Sequence, residues 1–294
     1  MKVGFLTGCL QEVPLDDVVR WASGAGFHTL ELPAGPARGS RTKHLDVDTL
    51  DAAEAARIQQ VFAAHNLTIS SLAYYDNPMS SKPDERQFVR DHLVKVIGAA
   101  QLLGVELVGT FVGNDPTAPP RKTLEEAGDY FGDLCEYASE RGVRLMIENC
   151  PMEGWQQPFV PGNLAYAPDQ WDELFSRAPR LGLNFDPSHL YWLGIDYILA
   201  ARDYGTRIFH AHAKDTEILP AGRQANGILG RGWWRYRVPG YGAIDWRAFV
   251  STLWETGYTG PLSIEHEDPI WEGNVGNVKT GLGLGQRYLA NILP

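Results

Sequence analysis

The runs Arg144-Leu145-Met146-Ile147-Glu148-Asn149 and Gly182-Leu183-Asn184-Phe185-Asp186 are short and largely apolar, and each reaches a carboxylate near its C-terminal end. Between them, Pro168 to Ala178 places its apolar residues at helical spacing, so the three segments read as strand, helix and strand of one crossover unit with parallel strands. The alternation continues in both directions. Upstream it predicts strands at Val3 to Thr7, Thr29 to Leu32, Leu67 to Tyr74 and Val105 to Val112; downstream, at Ile208 to Lys214 and Pro261 to Glu267. The other amphipathic stretches are Leu15 to Ala25, Val47 to His65, Asp84 to Leu103, Thr123 to Arg141, Leu193 to Tyr204, Trp246 to Thr256 and Asn274 to Ile292. Phe88, Val89, Leu93, Val96, Ile97 and Ala100 show the spacing clearly, and Gly26, Gly104, Gly142 and Gly257 stand where helix C′ residues belong. Eight strands each followed by a helix, with no composition break in 294 residues, predict one α/β domain over 1–294, a (β/α)8 barrel. A doubly wound open sheet is the structural rival.

Hydrophobic residues make up 44% and charged residues 21% of the chain, which excludes bulk disorder. With 26 basic and 36 acidic residues the formal charge is −10, a field that repels phosphate backbones and anionic membranes, so neither nucleic acid nor membrane is expected as a partner. Cys9, Cys135 and Cys150 are widely spaced and form no CxxC pair, which fits a reducing compartment and suggests neither a disulfide framework nor a thiolate zinc site. No secretory pattern opens the chain and no run of about 18 apolar residues occurs, so a cytoplasmic location is expected. A GxxxxGK[ST] loop is absent, so no nucleotide is implied. The pattern leaves homo- or hetero-oligomers open.

In such a barrel, catalytic side chains stand at the C-terminal ends of the strands. Strand five ends in Ile147-Glu148-Asn149, strand six in Phe185-Asp186-Pro187-Ser188-His189, strand seven in His210-Ala211-His212-Ala213-Lys214-Asp215 and strand eight in Ile264-Glu265-His266-Glu267. Taken singly, each carboxylate has an ordinary use as a helix cap or ion-pair partner, and each histidine as a hydrogen-bonded core residue. On four successive strands, two glutamates, an aspartate and a histidine form an oxygen-rich set suited to one divalent ion, Mn²⁺ or Mg²⁺, with Co²⁺ or Zn²⁺ tolerated. Period-two alternation puts His210, His212 and Lys214 on one side of strand seven, so Lys214 faces the cavity as a general acid or in a salt bridge to Asp215 or Glu267. The segment Thr216 to Gly242, with Arg223, Arg231, Trp233, Trp234, Arg235, Tyr236 and Arg237, reads as an irregular, lid-like loop over the mouth. Glu31, Tyr74, Trp155 and the Trp233-Trp234 pair are candidates to line the pocket.

These strand-end motifs resemble the xylose isomerase-like barrel superfamily, which includes sugar phosphate isomerase/epimerase-type proteins, ketose 3-epimerases and inositol-catabolic enzymes. The run from Arg237 to Trp246, followed by Gly257-Tyr258-Thr259-Gly260, is similar to the segment joining the seventh and eighth strands in that family. The resemblance spans nearly the whole chain. It implies Glu148, Asp186, His212 and Glu265 as ligands of one divalent metal, with Mn²⁺ first among the candidates. It implies substrate contacts for His189 and Arg237, and proton-exchanging roles for Glu148 and Glu265. The catalytic candidates are thus Glu148, Glu265, His189 and Lys214, and the substrate-binding candidates are His189, Arg237, Trp155, Trp234 and Glu31, with a small carbohydrate as substrate.

The activity so implied is that of a metal-dependent isomerase or epimerase acting on a keto sugar or related polyol through an enediolate. One alternative is a lyase that cleaves a 3-oxo-glycoside by β-elimination at the same site, as in the barrel subunits of C-glycoside-cleaving enzymes. A second is a non-catalytic sugar- or partner-binding barrel. Abasic-site endonucleases of the superfamily require histidines at the ends of strands three and four, where this chain has Ala73-Tyr74-Tyr75-Asp76 and Phe111-Val112-Gly113-Asn114.

Overall fold

In the computed structural model, which describes residues 1–35, 44–152 and 160–293, the strand pairing closes on itself. The strands are β1 (Lys2–Leu6), β2 (Thr29–Pro33), β3 (Thr68–Tyr74), β4 (Leu107–Thr110), β5 (Arg144–Glu148), β6 (Gly182–Phe185), β7 (Ile208–Ala213), β8 (Asp215–Ile218), β9 (Trp234–Arg237) and β10 (Pro261–Ile264). β1 to β7 follow one another in parallel, and β10 lies between β7 and β1. It sets Leu262 opposite Val3 on one side and opposite Ala211 on the other. That closure is the (β/α)8 barrel and removes the open-sheet rival.

The helices are α1 (Leu15–Gly24), α2 (Ala52–Ala64), α3 (Pro83–Leu103), α4 (Pro120–Ser139), α5 (Pro168–Arg177), α6 (Pro187–Leu193), α7 (Tyr197–Asp203), α8 (Pro220–Asn226), α9 (Trp246–Glu255) and α10 (Val275–Ala290). α3 shows why they form. Proline opens it, Asp84 and Glu85 sit at the positive end of its dipole, and Gly104 ends it in the left-handed region at φ 65°. Its Val89, Leu93, Val96, Ile97 and Ala100 are buried, at roughly 1.5–3 kcal/mol for each large aliphatic side chain, whereas Phe88, read as part of that stripe, is 40% exposed.

Three predicted segments differ from the structure. The helix expected from Val47 starts at Ala52, because the Asp51 carboxylate accepts from the Glu54 N–H and caps it there. The helix expected over Leu193 to Tyr204 is two helices, since Gly194 ends α6 at φ 77° and the Asp196 carboxylate caps α7. The segment 216–242 is not irregular: β8 and β9 pair antiparallel, with Thr216 opposite Tyr236 and Ile218 opposite Trp234, and α8 bridges them. Among the described residues no helix is long and apolar enough to cross a membrane.

Candidate metal centre

Four strand ends deliver the polar residues. Glu148 is the last residue of β5, and Asn149 locks that end to the next strand: its amide donates to the Asp186 carbonyl at 2.8 Å and its oxygen accepts from the Asp186 N–H at 2.7 Å. Asp186 Oδ1 caps α6 by accepting from the Ser188 N–H at 2.8 Å, while Oδ2 makes no hydrogen bond and lies 3.3 Å from Lys214 Nζ. The helix cap thus uses one oxygen of this aspartate and not the other. His189, one turn along α6, sets Nε2 3.3 Å from Asp186 Oδ2 and 3.4 Å from Glu148 Oε1. His212 on β7 sets Nδ1 3.3 Å from Glu148 Oε1 and 3.2 Å from Glu265 Oε2.

Ligand atoms of Glu148, Asp186, His189 and Glu265 lie within 4.8 Å of one another. Glu148 Oε1, Asp186 Oδ2, His189 Nε2 and His212 Nδ1 are all buried without a hydrogen-bond partner. Buried polar atoms are satisfied almost everywhere in proteins, so the orphaned atoms of Glu148, Asp186 and His189, which lie within 4.8 Å of one another, point to a common partner, with His212 Nδ1 3.3 Å from Glu148 Oε1 at its edge. Carboxylates also outnumber cations here, and a divalent cation would neutralise the excess while accepting every orphaned lone pair. The residues therefore fit a metal, and the group within mutual reach is Glu148, Asp186, His189 and Glu265, whereas His212, which the resemblance assigns as a ligand, groups with Glu31 and His210.

Beneath the cluster lies a polar network inside the barrel. His212 Nε2 is 2.9 Å from Glu31 Oε2, which also accepts from Ser263 Oγ at 3.1 Å, and Glu31 Oε1 accepts from the Tyr75 hydroxyl at 3.0 Å. Asn184 joins in, donating to the Tyr75 oxygen at 2.7 Å and lying 2.9 Å from His210 Nδ1. Lys214 Nζ sits beside three carboxylates, 2.5 Å from Glu265, 3.0 Å from Glu267 and 3.3 Å from Asp186. It does not pair with Asp215, which points to the other side of the chain and accepts from the N–H groups of Thr216, Gly240 and Ile244 and from Trp246 Nε1.

The charges set the proton affinities. Burial, and then the Glu265 charge, push Glu148 up to about 8. For Glu265, burial would act the same way, but Lys214 and His212 outweigh it and hold the carboxyl below the usual range. Burial would lower His212, yet Glu31, Glu265 and Glu148 together raise it well above its ordinary value. Burial and Lys214 hold His189 well below the usual range, so its imidazole is neutral.

The remaining candidates are placed as follows. Arg237 is committed to the insert, with Nη1 2.5 Å from Glu217 and Nε 2.9 Å from Asp268. Trp234 stacks on Trp192 at 4.5 Å. Glu31 sits under His212 rather than at the mouth, and Tyr74 turns away, packing on His92 and donating to Asp76, while Tyr75 takes the inward place. Trp155 lies outside the described residues. Two neighbours escaped the sequence reading. The Tyr236 hydroxyl is 2.8 Å from His189 Nδ1, and Cys150 has its sulfur within 4.8 Å of the Glu148 and His189 ligand atoms. Only the adjacency of Cys150 to Glu148-Asn149 signalled its position.

YfiH of Bacillus subtilis is 30% identical over 305 residues, covering 91% of this chain and 93% of its own. An inosose isomerase of Bacillus velezensis is 25% identical over 71% of each chain. An inosose dehydratase of Clostridium beijerinckii is 24% identical, covering 72% of this chain and 74% of its own. Among solved structures, the IOLI protein with a bound zinc atom superposes with a TM-score of 0.72 at 18% identity, covering 99% of this chain and 96% of its own. The family model described as "Xylose isomerase-like TIM barrel" matches residues 19–291. With that match, and with a closed barrel carrying its polar cluster at the C-terminal rim, the chain belongs to the xylose isomerase-like TIM barrel family.

Proposed function

We propose that this chain is a divalent-metal-dependent isomerase or epimerase acting on a keto sugar or related polyol, by removing the proton next to a polarised carbonyl. The observation that carries the reading is the set of four orphaned ligand atoms on Glu148, Asp186, His189 and His212, with Glu265 beside them. Relatives named as inosose isomerase and inosose dehydratase support a polyol-type substrate, and the zinc in the IOLI structure supports a metal at this rim. Mn²⁺ is our first choice, with Mg²⁺, Co²⁺ and Zn²⁺ as the alternatives the mixed oxygen and imidazole set allows.

A divalent ion held there would polarise the substrate carbonyl and stabilise the negative charge that grows on its oxygen. Glu148 is the proton acceptor, its carboxylate lying at the cluster beside His189 and His212, where a bound cation would keep it ionised. Glu265, kept ionised by Lys214, exchanges the proton on the other side of the reacting carbon. Lys214 supplies a proton or a hydrogen bond to a departing or developing oxyanion. Tyr236 orients His189 from behind through Nδ1.

A lyase outcome is the second reading. The inosose dehydratase relative favours it, and the first deprotonation is the same in both. The experiment is proton exchange by NMR in heavy water with Mn²⁺-loaded protein and a panel of keto sugars and inososes. Deuterium uptake with no change of formula supports the isomerase, and release of water or an aglycone supports the lyase. Wild-type exchange in Glu148→Gln or Glu265→Gln would sink the two-glutamate assignment. Failure to bind any divalent metal would move the binding-barrel alternative to the front.

A further inference from the structure

Beside α6 is a cavity of about 990 Å³ that none of the cluster residues lines. It lies between α6 and the β8–β9 insert, with Tyr166, Tyr191, Trp192, Trp233 and Trp234 among its walls. Two of those walls begin at the cluster. Trp192 is one turn beyond His189 on α6, and Trp234 is two residues before Tyr236 on β9. The Trp192 and Trp234 rings stack at 4.5 Å with 8° between planes, and Trp192 Nε1 donates to the Tyr236 hydroxyl at 3.3 Å. The Tyr236 hydroxyl in turn meets His189 Nδ1, so one aromatic surface runs from the cluster into the cavity.

The volume stands at the upper end of the roughly 300–1,000 Å³ that holds drug-sized ligands, more than a lone hexose needs. Aromatic walls favour flat rings, and the Arg223 guanidinium, 5.7 Å from the centre of the Trp233 ring, adds a cation that attracts an electron-rich one. At the rim, Ile228 and Leu229 are 63% and 71% exposed, an apolar surface that an apolar ligand group would cover.

We propose that this cavity is a subsite for a phenol-type aromatic group carried by the sugar substrate, with the sugar end at the metal cluster and the ring against the tryptophans. The inference rests on the metal-dependent carbohydrate reading above.

The test is calorimetric binding of 4-methoxyphenyl β-D-glucopyranoside and methyl β-D-glucopyranoside to the full Mn²⁺-treated chain, with manganese content measured on the same samples. The aryl probe binds about tenfold more tightly than the methyl probe. That preference falls below about threefold in Trp234→Ala and in Leu229→Asp, the second placed on an exposed rim where folding is not at stake. Equal affinities, no binding of the aryl probe, or a preference that survives both substitutions overturns the subsite. Protein that takes up no manganese yet keeps the aryl preference supports the subsite while counting against the metal reading alone.

Discussion

Glu31 and His212 form a fully buried pair, with Glu31 Oε2 2.9 Å from His212 Nε2, while the other ring nitrogen faces Glu148 and Glu265. A metal at Nδ1 would displace the proton there and leave the Nε2 proton held by Glu31, the usual arrangement of a carboxylate behind a ligating imidazole. Glu31→Gln is expected to weaken metal affinity about 10- to 100-fold with the fold retained, as read by metal titration alongside circular dichroism. Unchanged affinity would return Glu31 to a purely structural place.

Removing a ligand should act more severely. Wild-type protein is expected to purify with about one equivalent of divalent metal, and His212→Ala and Asp186→Asn are each expected to lose it, measured by elemental mass spectrometry. Asp186→Asn keeps an N-cap oxygen on α6, so its thermal stability separates loss of metal from loss of the cap.

Lys214 is the cation that three neighbouring carboxylates share. Lys214→Met strands them, and the metal-free protein should lose about 3–5 kcal/mol, the cost of breaking a buried pair from one side. Loading Mn²⁺ should recover much of that loss by restoring positive charge. Equal destabilisation with and without metal, in denaturant titrations, would contradict the idea that lysine and metal serve the same carboxylates.

Asp215 anchors the insert by accepting four hydrogen bonds from Thr216, Gly240, Ile244 and Trp246. Asp215→Ala should cost at least about 3 kcal/mol, because each donor left buried loses a charge-assisted partner. Chemical denaturation of the variant checks this.

Burial pushes the Cys9 and Cys135 thiols up to about 12, and Cys150 well above its ordinary value. A raised thiol pKa keeps the protonated form at pH 8, and only the thiolate attacks a disulfide reagent. Native protein should therefore react slowly with a chromogenic disulfide at pH 8, and unfolding in guanidinium should release all three equivalents quickly. Fast reaction of one thiol in the native state would show an open path to it.

The strand-end polar residues are legible because period-two alternation within a strand and the barrel's common rim fix where Glu148, His212 and Lys214 point. Aromatic character alone does not say which of two adjacent tyrosines turns inward: Tyr74 faces His92 and Asp76, and Tyr75, just past the strand end, bonds Glu31. A carboxylate on a strand says nothing of its depth, and only closure of the barrel puts Glu31 under His212. The insert was read as irregular because aromatic and arginine residues without alternation of polarity give no strand signal, whereas pairing of Thr216 with Tyr236 made it a hairpin.

The sequence by itself determined the barrel and the chemical kind of its rim, since alternation of strands and helices and the identity of strand-end residues are local properties of the chain. Tertiary structure alone decided which atoms meet. His189 enters the cluster because Asp186 starts α6 and a helical turn carries the ring back beside it, and Tyr236 reaches His189 because β9 folds over the mouth. Such contacts join residues far apart in the chain, and their distances follow from how the closed sheet packs.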